Sequence, residues 1–92
     1  MTALFALMLM PAPLSGQQKI TLSGTVRDES GKVLAGATVV EKGTNNGTST
    51  GVEGRYELTV GSGSTVSVTY IGYLPKDIAV KNRTVIDIVL EE

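Results

Sequence analysis

The sequence has 92 residues, a formal net charge of −1, four aromatic residues, no cysteine and no histidine. This length accommodates one domain, and the absence of cysteine excludes disulfides and thiolate metal sites. Without histidine the usual general base and metal ligand are missing, and the scattered basic residues and few aromatic residues argue against nucleic-acid binding. We therefore predict a noncatalytic protein without a cofactor, a metal ion or a small-molecule site.

The N-terminal segment predicts export. Residues 3–10 form a continuous apolar run, and two prolines and small residues up to Gly16 follow it. This order is typical of a secretory signal peptide, although no Lys or Arg precedes the run. The run is too short to cross a bilayer, which takes about 20 residues. We predict a signal peptide at residues 1–16 and a mature domain at residues 17–92. The alternative is an N-terminal segment that is disordered or buried and stays on the protein.

Alternating apolar and polar residues predict a first strand from Ile20 to Arg27. A turn at Asp28–Lys32 follows it. The inward face of the strand is expected to carry Ile20, Leu22, Gly24 and Val26, and the outward face Thr21, Ser23, Thr25 and Arg27.

The next segment predicts a hairpin. A second strand is expected from Ala37 to Lys42, and a short return strand from Thr48 to Thr50. Between them, Asn46-Gly47 is a pair that a type I′ turn favours, because both central residues of that turn need a positive φ. Gly51–Gly54 then predicts another turn.

Four more strands are predicted in the second half, and the loop Gly61–Ser64 is interpreted as a hairpin connection. The expected inward residues are Tyr56, Leu58, Val60, Val66, Val68, Tyr70, Ile86, Ile88 and Leu90. The strands at 76–80 and 84–90 are separated by a turn at 81–83. About seven short strands with frequent turn signals predict an all-β fold, a small antiparallel β-sandwich.

Two short motifs resemble those of enzymes. Gly47–Gly51 matches G-x-S-x-G, but a nucleophile elbow needs a helix after its serine and a base beside it, and here a turn follows and histidine is absent. Gly61-Ser62-Gly63 begins like a dinucleotide-binding loop, but Val66 stands where the third glycine is needed. We predict that Ser49 is an ordinary strand residue without a catalytic role.

Two further sets of residues are candidates for binding. Asp28, Glu29, Glu53 and Asp77 match no EF-hand spacing, so we expect solvated surface carboxylates. The segment Tyr70-Ile71-Gly72-Tyr73 has two interpretations: Tyr70 packs in the core while Gly72 lets the chain bend, which is the favoured one, or the cluster binds a partner.

The residues also carry a family resemblance. Gly24 to Asp28 reads G-x-V-x-D, and Gly31 to Val39 reads G-x-x-L-x-G-A-x-V. Gly43 to Thr48 reads G-T-x-x-G-T, Gly54 to Tyr56 reads G-x-Y, and Tyr70 to Tyr73 reads Y-I-G-Y. These motifs resemble the carboxypeptidase-regulatory-like domain, a transthyretin-like or immunoglobulin-like β-sandwich. The narrower resemblance is to the N-terminal extension of SusC/RagA-type TonB-dependent outer-membrane transporters of Bacteroidetes.

The resemblance covers Ile20 to Leu90 and implies a cellular location and partners that the composition does not indicate. It implies a domain on the periplasmic side of the outer membrane, with the plug and barrel of its own transporter and the TonB system as partners. Such transporters take up glycans or peptides. The domain itself would not insert into the membrane, and a TonB box and plug would follow Glu92, so the chain is expected to be a fragment. One departure is Gly51, where family members usually carry an aspartate that caps the turn.

We expect protein recovered from an exporting host to begin near Gln17, because residues 3–10 suit the apolar region of a signal peptide. N-terminal sequencing of periplasmic material checks this. Recovery of periplasmic protein with Met1 intact would contradict the predicted cleavage.

Overall fold

The computed structural model describes residues 18–92, so the predicted signal peptide at residues 1–16 lies outside the described residues. Within this part of the chain there is no helix long and apolar enough to cross a membrane. The seven strands are β1 (Lys19–Asp28), β2 (Thr38–Glu41), β3 (Gly47–Ser49), β4 (Arg55–Gly61), β5 (Thr65–Thr69), β6 (Lys76–Ala79) and β7 (Ile88–Leu90).

The strands form two sheets. The first sheet has the order β4-β1-β7, and the second has the order β3-β2-β5-β6. Every neighbouring pair is antiparallel except β1 and β7, in which Val26 pairs with Ile88 and Asp28 with Leu90. The predicted all-β, mainly antiparallel sandwich is confirmed, and it contains one parallel pair, β1 and β7. The reason is that residues 80–87 return the chain from β6 in the second sheet to the first sheet, and a crossover connection of this kind permits parallel pairing.

The alternation of side chains fills one core between the sheets. All the predicted inward residues of β4 and β7 are buried, as are Leu22, Val26, Val66 and Val68. Ile20 and Tyr70 are only partly buried at the margin of this core. Thr25 was predicted to face solvent but is 8% exposed. The segment before β7 approaches the strand at this point, where Asp87 Oδ1 accepts a hydrogen bond from Thr25 N at 3.0 Å.

Gly24 allows this close approach. A Cβ atom at position 24 would lie 1.9 Å from the carbonyl oxygen of Ile86, so no other residue fits without a backbone shift. The same carbonyl oxygen accepts a hydrogen bond from the Tyr56 hydroxyl at 2.6 Å. Burial raises the pKa of Tyr56 to about 12, so its hydroxyl stays a donor at neutral pH. Glycine at position 24 therefore brings the segment before β7 onto the first sheet.

The predicted type I′ turn at Asn46-Gly47 is wrong. Gly47 is the first residue of β3 and pairs with Val40, and the positive φ in this loop belongs to Gly43, at 85°. The loop is longer because Glu41 N donates a hydrogen bond to Asn46 O at 2.8 Å and Thr44 N donates to Glu41 O at 3.1 Å. These bonds close the loop around residues 42–46 instead.

The loop Gly61–Ser64 is also different from its prediction. It is not a hairpin connection, because β4 pairs with β1 in the first sheet whereas β5 pairs with β2 and β6 in the second. The loop carries the chain from one sheet to the other. Ser64 N donates to Gly61 O at 3.0 Å, and Ser62 N donates to Gln18 O at 2.7 Å.

Strand directions assign the loops to two ends of the sandwich. In the first sheet, β1 and β7 end together, because Asp28 pairs with Leu90. In the second sheet, β3 and β5 end beside the start of β2, because Thr38 pairs with both Ser49 and Thr69. Residues 29–37 join the end of β1 to the start of β2 and so bring these strand ends to the same end of the sandwich. We call this the tyrosine end; it consists of residues 29–37, 50–54, 70–75 and 91–92. The opposite end, which we call the lysine end, consists of residues 18–19, 42–46, 61–64 and 80–84.

Val68→Asp should unfold most of the protein, because Val68 is fully buried on β5 and an unpaired carboxylate there costs about as much as a small domain's total stability of about 5 kcal/mol. Thr69→Asp, on the exposed face of the same strand, should lose only about 1 kcal/mol. Circular dichroism and urea unfolding of both variants check this. The reverse result would show that β5 is shifted by one residue from the register in which Val68 pairs with Val39.

Candidate functional site

Ser49 is the last residue of β3, and its side chain is exposed. A turn follows in place of a helix, so within residues 18–92 no helix N-terminus stands beside this hydroxyl to form an oxyanion hole. Ser49 lines a shallow groove of about 300 Å³ together with Arg55, Tyr56 and Glu57, among others. The G-x-S-x-G match is therefore the end of an edge strand and the beginning of a turn.

The turn after Ser49 is held by its own backbone and by Thr50. Thr50 is buried. Its hydroxyl donates a hydrogen bond to Leu34 O at 2.5 Å, and Thr50 Oγ1 accepts one from Ala37 N at 2.8 Å. Gly51 N donates to Arg55 O and Gly54 N to Gly51 O, both at 2.9 Å. These two backbone bonds close the turn that begins at Gly51.

Glu41 is the one charged residue that is buried in the described part of the chain, with 8% of its surface exposed. Its Oε1 accepts a hydrogen bond from Asn46 Nδ2 at 3.0 Å. Its Oε2 accepts from Gly61 N at 3.0 Å and from the Ser64 hydroxyl at 2.5 Å. We call this group of four residues the Glu41 clasp. It joins the β2–β3 loop, the end of β4 and the connection between the sheets.

The clasp holds Glu41 in its charged form. The hydrogen bonds from Ser64, Gly61 and Asn46, in that order of importance, lower the pKa of Glu41 from 4.5 to about 2. Sequence reasoning missed this residue. The signal was present, because Glu41 follows Ala37 and Val39 at the spacing of the inward face of β2, where an apolar residue would be expected.

Asp28 joins β1 to the segment Tyr70–Tyr73. Its Oδ1 accepts hydrogen bonds from the hydroxyl and backbone of Ser30 and from Lys32 N, and its Oδ2 accepts one from the Tyr73 hydroxyl at 3.0 Å. The Ser30 hydroxyl is the main cause of a lowered pKa of Asp28. Burial, and then the bond to Asp28, raise the pKa of Tyr73 to about 12. Tyr73 is therefore fixed to the sandwich as a neutral donor.

Tyr70 and Tyr73 border a groove at the tyrosine end. Their ring centroids are 5.6 Å apart and their planes are tilted by 46°. The groove has a volume of about 680 Å³ and no acidic or basic side chain lines it. Its lining residues are Gly36, Thr38, Thr69, Tyr70, Ile71, Tyr73 and Pro75. Such a surface suits the packing of apolar groups and offers no paired nucleophile and base.

The structure does not gather the carboxylates considered as calcium ligands. In residues 18–92 no three side chains among His, Cys, Asp and Glu form a group that could hold a metal ion. Asp77 instead forms an exposed ion pair with Lys42 at 2.5 Å, and the bond from Lys42 is the main cause of a lowered pKa of Asp77.

The chain is a two-sheet β-sandwich, and in its described part every buried polar side-chain atom has a hydrogen-bond partner. The profile of the CarboxypepD_reg-like domain family matches residues 22–92, and the chain belongs to this family. The resemblance inferred from the motifs at Gly24–Asp28 and Tyr70–Tyr73 is thereby confirmed.

The chain is also similar to parts of much longer receptors. It is 42% identical over 79 residues to a TonB-dependent receptor of Formosa agariphila, an alignment that covers 85% of this chain and 7% of that receptor. It is 41% identical over 63 residues to TonB-dependent receptor SusC of Bacteroides thetaiotaomicron, covering 68% of this chain and 6% of SusC. A second TonB-dependent receptor of Formosa agariphila is 41% identical over 70 residues, and this alignment covers 76% of this chain and 7% of that receptor. The chain thus spans less than a tenth of the length of these relatives.

Glu41→Gln should lower the free energy of unfolding by about 1–3 kcal/mol at neutral pH, because a neutral amide cannot accept all three bonds of the clasp. The lowered pKa means that the unfolded chain takes up the proton first as the pH falls. The free energy of unfolding of the wild-type protein should therefore decrease between about pH 4.5 and pH 2 as the stabilisation by charged Glu41 is lost. The variant should not show this decrease. Urea unfolding at several pH values measures both effects.

Glu57→Gln is the matched control for this change. Glu57 lies on β4 with an exposed side chain, so its substitution should change the stability by no more than about 0.5 kcal/mol. Equal stability of Glu41→Gln and the wild type at neutral pH would contradict a stabilising role for the clasp.

Ser49→Ala should leave any hydrolytic background of the purified chain unchanged, because the chain has no histidine to act as its base and a turn, not a helix N-terminus, follows this serine. Esterase and peptidase assays with model substrates measure it. If the substitution removed a reproducible activity, Ser49 would have to be a nucleophile after all.

Proposed function

We propose that this chain is a noncatalytic module of a SusC-like TonB-dependent outer-membrane transporter, located at the N-terminus of that transporter on its periplasmic side. The observation that carries the proposal is the identity of 41–42% to TonB-dependent receptors over most of the chain, which spans only 6–7% of their length. Uptake of glycans or peptides then belongs to the plug and barrel of the same polypeptide.

The arrangement of polar residues supports a noncatalytic role. Ser49 is exposed at a strand end, and the carboxylate of Glu41 is used within the clasp. The Tyr73 hydroxyl is bound to Asp28. With no histidine anywhere in the chain, the domain contributes a folded surface to the transporter and leaves the chemistry to other parts.

The reading frame beyond Glu92 provides the first test. We expect a short TonB-box segment there, followed by the sequence of a plug and a barrel. An antibody against residues 18–92 should detect a polypeptide of receptor size in the outer-membrane fraction. Protease added to intact cells should leave the domain uncut, and permeabilising the outer membrane should expose it.

Other outcomes would favour a different class of protein. A stop codon directly after Glu92 would indicate a stand-alone secreted adhesive or cell-wall module. A zinc peptidase in the same frame would make the chain an accessory domain of that enzyme. Digestion of the domain in intact cells would contradict the periplasmic location while leaving the link to a transporter intact.

A further inference from the structure

The tyrosine end exposes most of the large apolar side chains that the described part of the sandwich leaves in solvent. There are six such residues, and four of them lie in loops of this end: Val33, Val52, Ile71 and Leu74. Ile71 is 94% exposed and Val52 is 87% exposed. A cluster of exposed apolar side chains on a small soluble domain is typical of a contact surface.

The groove between Tyr70 and Tyr73 continues this surface toward the last residues of the chain. Pro75 lines both that groove and a second hollow of about 180 Å³, which Leu74, Lys76, Val89 and Glu91 also line. Pro75 therefore connects the groove to this second hollow, whose lining combines the apolar Leu74 and Val89 with the charged Lys76 and Glu91.

The chain leaves the sandwich beside this surface. Leu90 pairs with Asp28 at the tyrosine end, and Leu74 N donates a hydrogen bond to Glu91 O at 2.7 Å. Any polypeptide that continues past Glu92 therefore starts next to Leu74. A tethered domain has a high effective concentration at such a position, so a modest apolar contact is enough to keep it docked.

Charge distinguishes two candidates for covering this surface, a following domain of the same polypeptide and a second copy of the chain. The loops of the tyrosine end carry four exposed carboxylates, Glu29, Glu53, Glu91 and Glu92, against one exposed base, Lys32, so two tyrosine ends would repel each other. The lysine end has the opposite charge, at Lys42, Lys81 and Arg83, but among the described residues it has no large apolar side chain that is exposed. Neither end of a second copy provides an apolar surface with a basic margin.

We propose that the tyrosine end docks on the domain that follows it in the same polypeptide, through Ile71, Leu74 and the groove of Tyr70 and Tyr73. The facing surface is apolar with basic residues at its margin. This inference rests on the proposed function, in which the module precedes the plug of a transporter.

Cysteine labelling tests the docking, because the chain has no cysteine of its own. Ile71→Cys is compared with Val85→Cys, because Val85 is 63% exposed and bridges Ser23 near the middle of β1, away from the tyrosine end. Each variant is prepared in the 92-residue chain and in the longer polypeptide, freed of any other cysteine. Circular dichroism of the short chains confirms that they fold. The measurement is the rate of reaction with a maleimide.

The Ile71→Cys thiol should react about tenfold more slowly in the longer polypeptide than in the short chain, because an interface blocks access to it. The Val85→Cys thiol should react at rates within about twofold in both. Adding Glu53→Lys should speed the reaction of the Ile71→Cys thiol in the longer polypeptide several-fold, since it places like charges at the margin. Glu57→Lys, in the middle of β4, should not.

Equal rates for the Ile71→Cys thiol in the short and long proteins would overturn the inference, while a longer transporter polypeptide would still support the proposed function. Slow labelling of the short chain that disappears on dilution would show a second copy at this end and would also overturn it. If Glu53→Lys left the labelling rate of the Ile71→Cys thiol unchanged, the facing surface would have no basic residues at its margin. A reading frame that stops after Glu92 would remove the proposed function and this inference together.

Discussion

The buried carboxylate of Glu41 is the interaction on which the lysine end depends. It lies on β2 in the second sheet, and two of its partners, Gly61 and Ser64, lie where the chain leaves the first sheet. A charge in this position is stable only while its donors surround it, because removal of one partner leaves it uncompensated. The loops that meet there are therefore coupled to one another. In this small domain without any cysteine, one buried acid thus connects three segments of the lysine end.

Local pattern was enough to predict many of the side chains in the core, although Ile20 and Tyr70 lie only at its margin. Alternation of apolar and polar residues gave the correct inward faces of β4 and β7, because the period of a strand is a property of consecutive residues. The motif at Tyr70–Tyr73 pointed to the correct family. Those predictions needed no knowledge of which strands are neighbours.

The errors share one physical cause, which is that pairing is decided by contacts distant in sequence. Asn46-Gly47 is a good local turn signal, yet the Asn46 side chain bonds to Glu41 and to Thr59 O instead. The loop Gly61–Ser64 resembles a hairpin connection until β1 is found beside β4. The parallel pairing of β7 depends on how closely Ile86 approaches Gly24. The candidate surface was harder still, because Val33, Val52 and Leu74 lie far apart in the chain and the fold alone places their loops at the same end of the sandwich.

The parallel pairing of β1 and β7 has a mechanical consequence. Gln18 precedes β1 at the lysine end, and Glu92 follows β7 at the tyrosine end. Tension applied between these two residues would act along both strands in opposite directions, so it would load the hydrogen bonds between them in shear. The bonds of the pairs from Val26–Ile88 to Asp28–Leu90 would have to break together, and those between Ser23 and residues 84–86 would share the load. An antiparallel arrangement with both termini at one end would instead open one bond at a time. The topology thus makes the domain a stiff link in any polypeptide that is pulled along its length.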